Sequence, residues 1–264
     1  MKYRFFILAL AIPASLFLFF GGPTVLWAAD ANISELPAYT GDITSYSSGL
    51  DKKQEEYDAV LDREPDNYDA LWRLSQLYVA RGMLEKSKKN KKKQWRKAEH
   101  YARRAIESNS EGACGHLYVA ISVGKISRIS SAGEKVENAK EIKKETQKAI
   151  ELDPSYHKPY LTLGTWHRNI ADASSLEKQL AKIFFGAMPE GTLEDSLELL
   201  LKSIELGGAS VRNYYELGLT YEAMKDYEAA KREYKKALSA PLFFPEDAEI
   251  KEKIKKTLRK SRYK

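Results

Sequence analysis

Histidine, cysteine and glycine–lysine patterns are the parts of this chain whose residue types could support catalysis or ligand binding. A helical zinc site needs two histidines four residues apart beside a glutamate, and the four histidines lie at other spacings. Residues 124–127, GKIS, resemble the end of a phosphate loop, but Val119 stands where that loop needs glycine. The single cysteine, Cys114, allows no intrachain disulfide. The sequence therefore predicts no catalytic residue, no metal site, no cofactor and no enzyme activity.

A basic segment from Lys86 to Lys97 is a second candidate for function. It holds eight basic residues in twelve positions, with Trp95 among them. One interpretation is contact with an anionic membrane surface, and the other is a solvated, mobile turn. The net charge of the chain, +6, is too small to predict nucleic-acid binding. The candidate surface residues are Lys88, Lys89, Lys91, Lys92 and Lys93.

The segment from Val211 to Leu242 shows which elements would position such residues. Its large and small residues recur at the spacing of a tetratricopeptide repeat, a hairpin of two antiparallel helices. The small Gly218 and Ala230 allow the two helices to approach closely. Because one hairpin cannot bury its apolar face alone, the sequence predicts an all-α solenoid of stacked hairpins. The residues of the pattern are Tyr214, Leu217, Gly218, Tyr221, Ala230, Tyr234 and Ala237.

Three further units begin near Tyr68, Ala113 and His157, and each carries an insertion between its two helices. The first insertion contains SKKNKKKQWRK, the second covers residues 127–137, and the third contains LEKQLAKIFFGAMPEGT. We interpret these insertions as expanded inter-helix turns. A half unit over residues 50–65 precedes the stack, and residues 245–262 predict a C-terminal capping helix. His116 and His167 fall at packing positions of their units, where we expect satisfied core histidines.

The first helices of a tetratricopeptide stack line its concave groove, and their sequence predicts the groove residues. The two central rows are largely apolar, while the outer rows bring basic side chains to the rim. This pattern suits a partner helix or peptide with an apolar face, or an apolar ligand with an acidic end. The candidate binding residues are Trp72, Gln76, Leu117, Ile121, Leu161, Thr165, Arg168, Arg212, Tyr215 and Leu219.

The third insertion bears on whether that groove is open. Residues 176–188 are amphipathic, with their apolar side chains on one helical face. This segment either folds back and fills the groove as ordinary core, or it leaves the groove open to a ligand. Buried contacts of Leu180 or Phe184 with Trp72 or Tyr215 would indicate a filled groove.

The sequences of three stretches resemble one known family. These are LWRLSQLY from Leu71, GHLYVAISVGKIS from Gly115, and SSLEKQLAKIFFGAMPEGTLEDSLELLLKSIEL from Ser174. Together they resemble the regulator of microtubule dynamics family of tetratricopeptide proteins, over roughly residues 68–242. Animal members are linked to microtubules and to tethering and lipid handling between organelles. The resemblance implies the fold, whereas an exported protein would not carry the microtubule link.

The first 31 residues predict export. A short basic start with Lys2 and Arg4 precedes an uncharged apolar run and an Ala29-Asp30-Ala31 cleavage pattern. The segment is a signal peptide or, since it is long enough to span a bilayer, an uncleaved N-terminal anchor. Residues 32–49 predict a flexible linker, and residues 50–262 the folded domain.

These patterns together predict a non-enzymatic binding protein of the periplasm or cell envelope. The first hypothesis is a scaffold whose groove recognises a protein or peptide partner. The alternative is binding or tethering of a lipid or other apolar ligand in the same groove. An anionic membrane surface is a further expected partner, and nucleic acid is not expected.

Overall fold

The structure is a computed structural model, and it describes residues 35–174, 179, 183, 189–260 and 263. Every regular element in these residues is a helix, which confirms the predicted all-α fold. The predicted leader, residues 1–31, lies outside this part. Over the same described residues, no helix combines the length and apolarity needed to cross a bilayer. The helices are α1 (Ile43–Leu61), α2 (Tyr68–Leu84), α3 (Lys88–Ser108), α4 (Ala113–Ser127), α5 (Ala132–Leu152), α6 (His157–Ala171), α7 (Leu193–Glu205), α8 (Val211–Ala223), α9 (Tyr227–Ser239) and α10 (Pro245–Thr257).

The helices form four consecutive hairpins, α2–α3, α4–α5, α6–α7 and α8–α9, that stack in chain order. The first helices of the units touch one another along one side of the stack. We call this side, lined by α2, α4, α6 and α8, the inner face. Each first helix begins at the residue that the repeat pattern predicted, so the tetratricopeptide-like solenoid is confirmed.

Close packing within a hairpin depends on glycine, as the repeat pattern indicates. A Cβ atom placed on Gly164 would lie 2.8 Å from Leu200 Cγ of the facing helix. A Cβ atom on Gly218 would overlap the ring of Tyr234, which is completely buried. These two contacts explain why a glycine on the first helix is paired with a large residue on the second.

The folded part begins earlier than the sequence predicted. Helix α1 begins at Ile43, within residues 32–49 that were expected to form a flexible linker. The Asp42 side chain accepts a hydrogen bond from the Thr44 N–H at 2.9 Å and so caps this helix. Tyr46 is only 2% exposed, because α1 packs it onto α2 and the core of the first units. The serine and glycine content of this stretch predicted a spacer. Burial of Tyr46 and Leu50 in the core instead stabilises a helix there.

The first two insertions extend helices and are not expanded turns, which corrects the sequence interpretation. Helix α3 begins at Lys88, so most of the basic segment forms its first three turns. Trp95 anchors this extension, since it is 5% exposed and packs where Gly82 of α2 leaves room. The second insertion similarly lengthens α5, which begins at Ala132 with Glu134 accepting the Ser131 N–H at 2.9 Å. Most of the third insertion lies outside the described residues.

Helix α10 follows the last hairpin as the predicted C-terminal cap. Ile250 and Ile254 are buried against α8 and α9, and Leu258 packs at the edge of the same cluster. The helix ends at Thr257, a little before the predicted end. It also touches α2 of the first unit, at the other end of the stack. The cap therefore covers more of the inner face than a terminal helix packed only on the last hairpin.

Candidate functional site

The predicted groove residues lie on the four first helices, but they do not form a uniform open surface. Leu117 is completely buried and belongs to the core between helices, which corrects its assignment as a binding residue. It is buried because α4 lies in the middle of the stack and is covered by neighbouring helices on most sides. The others are half-buried: Trp72, Gln76, Ile121, Leu161, Thr165, Arg168, Arg212, Tyr215 and Leu219.

Trp72 lies at the first-unit end of the inner face, in an aromatic and cationic cluster. Its ring stacks on Tyr118 of α4 with centroids 5.8 Å apart. The Arg73 guanidinium lies 4.4 Å from the centre of the Trp72 ring, a favourable cation–π distance. Trp72 Nε1 donates to Asp69 Oδ1 at 2.7 Å, so the indole is held in one orientation.

Two segments of the chain itself reach the inner face. Residues 35–42 run beside α1, where Pro37 packs against Gly49 and Tyr39 makes an edge contact with Tyr46. Residues 241–247, which comprise the end of the connection from α9 and the first turn of α10, approach from the other end. The two segments meet where the Tyr39 N–H donates to the Phe243 carbonyl at 3.2 Å. Whether residues 176–188 also fill the groove depends on Leu180 and Phe184, which lie outside the described residues.

Where residues 241–247 cross the inner face, Glu246 enters a network of ion pairs. Its carboxylate lies 3.1 Å from Lys125 Nζ of α4 and 3.1 Å from Arg212 NH1 of α8. Arg128 NH1 lies 3.8 Å away on the same side. We call Lys125, Arg128, Arg168, Arg212, Glu216 and Glu246 the inner charge network.

Glu216 forms the second centre of the inner charge network. It receives Arg168 NH2 at 2.6 Å and Arg212 Nε at 2.8 Å, so Arg212 bridges both carboxylates. Arg168 and Arg212 were predicted to form a basic rim, and the structure instead pairs both with an internal glutamate. A rim cation that is already neutralised attracts a ligand less than a free one.

The pKa values of the two glutamates follow from this environment. Burial alone would raise the pKa of Glu246, but the charges of Lys125 and Arg212 outweigh burial and lower it to about 2. The pKa of Glu216 is also lowered, because Arg212 and Arg168 again outweigh the effect of burial. Both carboxylates are therefore ionised at neutral pH.

The two core histidines are satisfied, as their packing positions predicted. His116 Nδ1 lies 2.6 Å from Glu145 Oε2, and its Nε2 lies 3.1 Å from the Ser110 carbonyl oxygen. Both partners are acceptors, so both ring nitrogens carry protons when the two hydrogen bonds form. His167 Nδ1 instead faces the Thr192 N–H at 3.4 Å and Asp195 at 3.3 Å.

Cys114 lies at the edge of the inner face and is half-buried. Burial raises the pKa of its thiol, and a hydrogen bond with Tyr156 only partly offsets this. Since the thiolate is the reactive form, this environment does not activate the residue. Cys114 is accounted for as a packing residue, and no cluster of three potential metal ligands occurs among the described residues.

The basic segment forms a charged outer surface on α3. This helix holds nine lysines and arginines and two glutamates, with no acidic residue in its first turn. Lys88, Lys89 and Lys93 are exposed, while Lys91 and Lys92 are half-buried. Lys92 pairs with Glu134 of α5 at 3.7 Å. Because Trp95 is buried, it contributes to stability and does not reach a surface outside the protein.

The inner charge network is the part of the site that sequence reasoning missed. Glu246 appeared as one of many charged residues in a Lys/Glu-rich terminal helix. Glu216 lies on the first helix of the most regular unit, where the repeat pattern predicted Tyr215 and Leu219 as groove residues. One sequence signal was present, namely the pair of aromatic residues Phe243 and Phe244 directly before the helix.

Comparison with known proteins agrees with this fold. The chain is 28% identical to rat regulator of microtubule dynamics protein 3 over 184 residues, which is 66% of this chain and 39% of that protein. It is 28% identical to bovine regulator of microtubule dynamics protein 1 over 199 residues, covering 75% and 63% of the two chains. It thus spans from about two fifths to somewhat under two thirds of these relatives.

The structure also resembles a crystal structure of a thermophilic tetratricopeptide protein from Thermus thermophilus. The TM-score is 0.56 at 15% identity, and the match covers 82% of this chain and 94% of that one. At this identity the likeness shows the fold alone. The family model described as regulator of microtubule dynamics protein 1-3 matches residues 43–263, from the start of α1 to beyond α10. The chain therefore belongs to the regulator of microtubule dynamics 1–3 family.

Proposed function

We propose that this protein is an exported, non-enzymatic scaffold whose inner face recognises a peptide segment of a protein partner. One observation carries the proposal: the inner face already holds a segment of its own chain, residues 241–247, in which a non-helical linker leads into the first turn of α10. That segment is held by a backbone hydrogen bond at Phe243 and by ion pairs at Glu246. A scaffold can bind a peptide segment of a partner through backbone hydrogen bonds and side-chain contacts of this kind.

A photo-crosslinking amino acid at single positions tests this function. Thr165 and Leu219 lie on the inner face, and exposed Glu228 on α9 serves as the matched outer control. In cells we expect the two inner positions to form the same crosslinked adducts, with Glu228 forming none of them. The crosslinked protein is identified by mass spectrometry and then bound in purified form. Adducts that form only from Glu228 would contradict an inner recognition surface.

A lipid-like ligand in the groove is the less favoured alternative. It was based on an apolar floor with a free basic rim, and Arg168 and Arg212 are instead paired with Glu216. Mass spectrometry of organic extracts of the purified protein tests this alternative directly. A defined lipid recovered at one molecule per protein would favour carriage over scaffolding.

Contact of α3 with an anionic membrane surface is a second candidate function. The observation that favours it is the concentration of charge on one helix, since α3 holds nine of the 43 lysines and arginines of the chain. Lysines near an anionic bilayer contribute about 1 kcal/mol each. The contact would be purely electrostatic because Trp95 is buried.

Co-sedimentation with vesicles tests the role of α3. Replacing Lys88, Lys89, Lys91, Lys92 and Lys93 with Gln should reduce binding to vesicles that contain phosphatidylglycerol, by roughly tenfold or more. The matched control replaces five lysines elsewhere with Gln, so the two variants carry the same net charge. Equal loss in both variants would show that total charge, and not α3, determines binding. The control positions are Lys231, Lys235, Lys253, Lys255 and Lys256.

A further inference from the structure

Residues 241–247, a non-helical linker followed by the first residues of α10, cross the inner face, and we call this segment the strap. Its Phe243 carbonyl accepts the Tyr39 N–H, and its Glu246 carboxylate lies between Lys125 and Arg212. Lys125 belongs to the second unit and Arg212 to the fourth. The strap therefore spans the same face that the first helices present to a partner.

Polar contacts hold the strap at Phe243 and Glu246, and the buried Asp247 at its end accepts the N–H groups of Phe243 and Phe244. The Phe243 side chain is 46% exposed, which is unusual for phenylalanine, and Pro241 is exposed as well. By contrast, Ile250 and Ile254 of the following helix are buried in the core of the last unit. Because Pro241 and Phe243 of the linker are exposed and a helix end can fray, the strap can leave the inner face by unwinding the first turn of α10 while the rest of that helix stays packed.

The site beneath the strap is built for carboxylates. Four cations of the inner charge network face two carboxylates, and Glu246 is the one that the strap supplies. The Arg168 Nε group is buried and has no hydrogen-bond partner in the described part of the chain. Without Glu246, Lys125 and Arg212 would lose a charged partner and would need another anion.

We propose that the strap is a built-in occupant of the partner site, and that the partner segment is acidic and replaces Glu246 between Lys125 and Arg212. This inference rests on the proposed scaffold function. It assigns a chemistry to the partner: a glutamate or aspartate that follows an extended stretch with aromatic side chains, as Glu246 follows Phe243 and Phe244. It also makes the strap a competitor, so the affinity for a partner depends on how firmly Glu246 is held.

A labelled peptide that copies the strap tests the proposal. The probe is a fluorescein-labelled peptide of residues 239–249, SAPLFFPEDAE, and binding to the full chain is followed by fluorescence anisotropy. We expect the Glu246→Gln variant to bind the peptide at least tenfold more tightly than the unmodified protein, because its own strap is weakened. A peptide with Gln in place of the Glu246 equivalent should bind this variant at least tenfold less tightly.

A matched variant separates a local effect from a loss of charge. Glu252 lies on α10 as well but pairs with Lys255 on the surface, so Glu252→Gln removes the same charge away from the strap. This control should bind the peptide no better than the unmodified protein. Equal gains in Glu246→Gln and Glu252→Gln, or no gain in either, would overturn the proposal.

Hydrogen exchange gives a second measurement that does not depend on the variant folding well. In the unmodified protein, an excess of the peptide should speed amide exchange in the strap and at Tyr39, and leave Ile254, whose N–H bonds within the remaining helix, protected. Unchanged strap exchange at saturating peptide would overturn the proposal. If crosslinking from Thr165 and Leu219 nevertheless finds a partner, the scaffold function stands and only the strap's role is lost.

Discussion

His116 and Glu145 form a buried pair whose contribution to stability depends on pH. The hydrogen bond to Glu145 raises the pKa of His116 despite burial, and the hydrogen bond to Ser110 raises it further. The pKa of Glu145 is lowered, chiefly by its hydrogen bond to His116. Lys144 lies 3.2 Å from Glu145 on the outer side, and Lys148 opposes the His116 charge.

The sign of the pH dependence follows from these directions. Because the pKa of His116 is raised in the folded state, its contribution to stability is complete below its unfolded-state pKa. That contribution is lost as pH rises through the folded-state pKa. A lowered folded-state pKa means that the Glu145 contribution is lost as pH falls through the folded value. The pair therefore stabilises the fold most at mildly acidic pH, between these two transitions.

The variant His116→Gln tests the pair. It leaves the buried Glu145 carboxylate without its cationic partner, which costs roughly 1–3 kcal/mol of unfolding free energy. Urea unfolding of both proteins from about pH 5 to about pH 9, a range that brackets the ordinary histidine pKa, measures the difference. We expect the stability difference between the two proteins to be largest at the acidic end and to shrink as pH rises. A difference that is constant with pH would show that the pKa of His116 is the same in the folded and the unfolded protein.

At the scale of the element, the lengthened α3 depends on one aromatic anchor. Trp95 packs into the space that Gly82 leaves on α2, and its Nε1–H donates to the Val79 carbonyl at 3.4 Å. The lysines before Trp95 cannot stabilise the helix themselves, since positive charge near a helix N-terminus is unfavourable. Packing of Trp95 therefore holds a charged segment in helical form.

Replacing Gly82 with Ala should consequently destabilise the protein. The new Cβ would overlap the indole of Trp95, and overpacking of this kind costs about 1–3 kcal/mol. Gly124→Ala is the matched control, because its Cβ would meet only Ile142 Cδ1 at an ordinary 3.7 Å. Alanine favours helices over glycine, so the control should be neutral or slightly stabilised. Equal melting temperatures for both variants would contradict the anchoring role of Trp95.

The elements could be predicted from sequence to different extents, for a physical reason. The repeat pattern located the starts of α2, α4, α6 and α8 because it reflects contacts between neighbouring helices. It did not show that the first insertion is helical, since the lysine-rich stretch carries no apolar stripe apart from Trp95. Likewise the early start of α1 depends on Tyr46 and Leu50 reaching a core formed by later units.

At the scale of the whole molecule, the inner face is where sequence reasoning was least informative. It predicted the side chains that point to this face but not the strap that covers part of it. Lys125 and Glu246 are 121 residues apart in the chain, and no local pattern encodes their contact. The basic rim was a reasonable inference from Arg168 and Arg212, and their pairing with Glu216 became evident only in three dimensions.

The hydrogen bond between Tyr39 and Phe243 has a consequence for folding cooperativity. An open array of repeats behaves as a chain of nearest neighbours and can fray from either end. Here the segment before the first unit is joined to the segment after the last, so fraying at one end loosens the other. We therefore expect one calorimetric unfolding transition, with equal calorimetric and van't Hoff enthalpies. Separate transitions for the two ends would show that each end unfolds on its own. A single transition would show that the two joined ends unfold together, as they would in a closed ring of repeats.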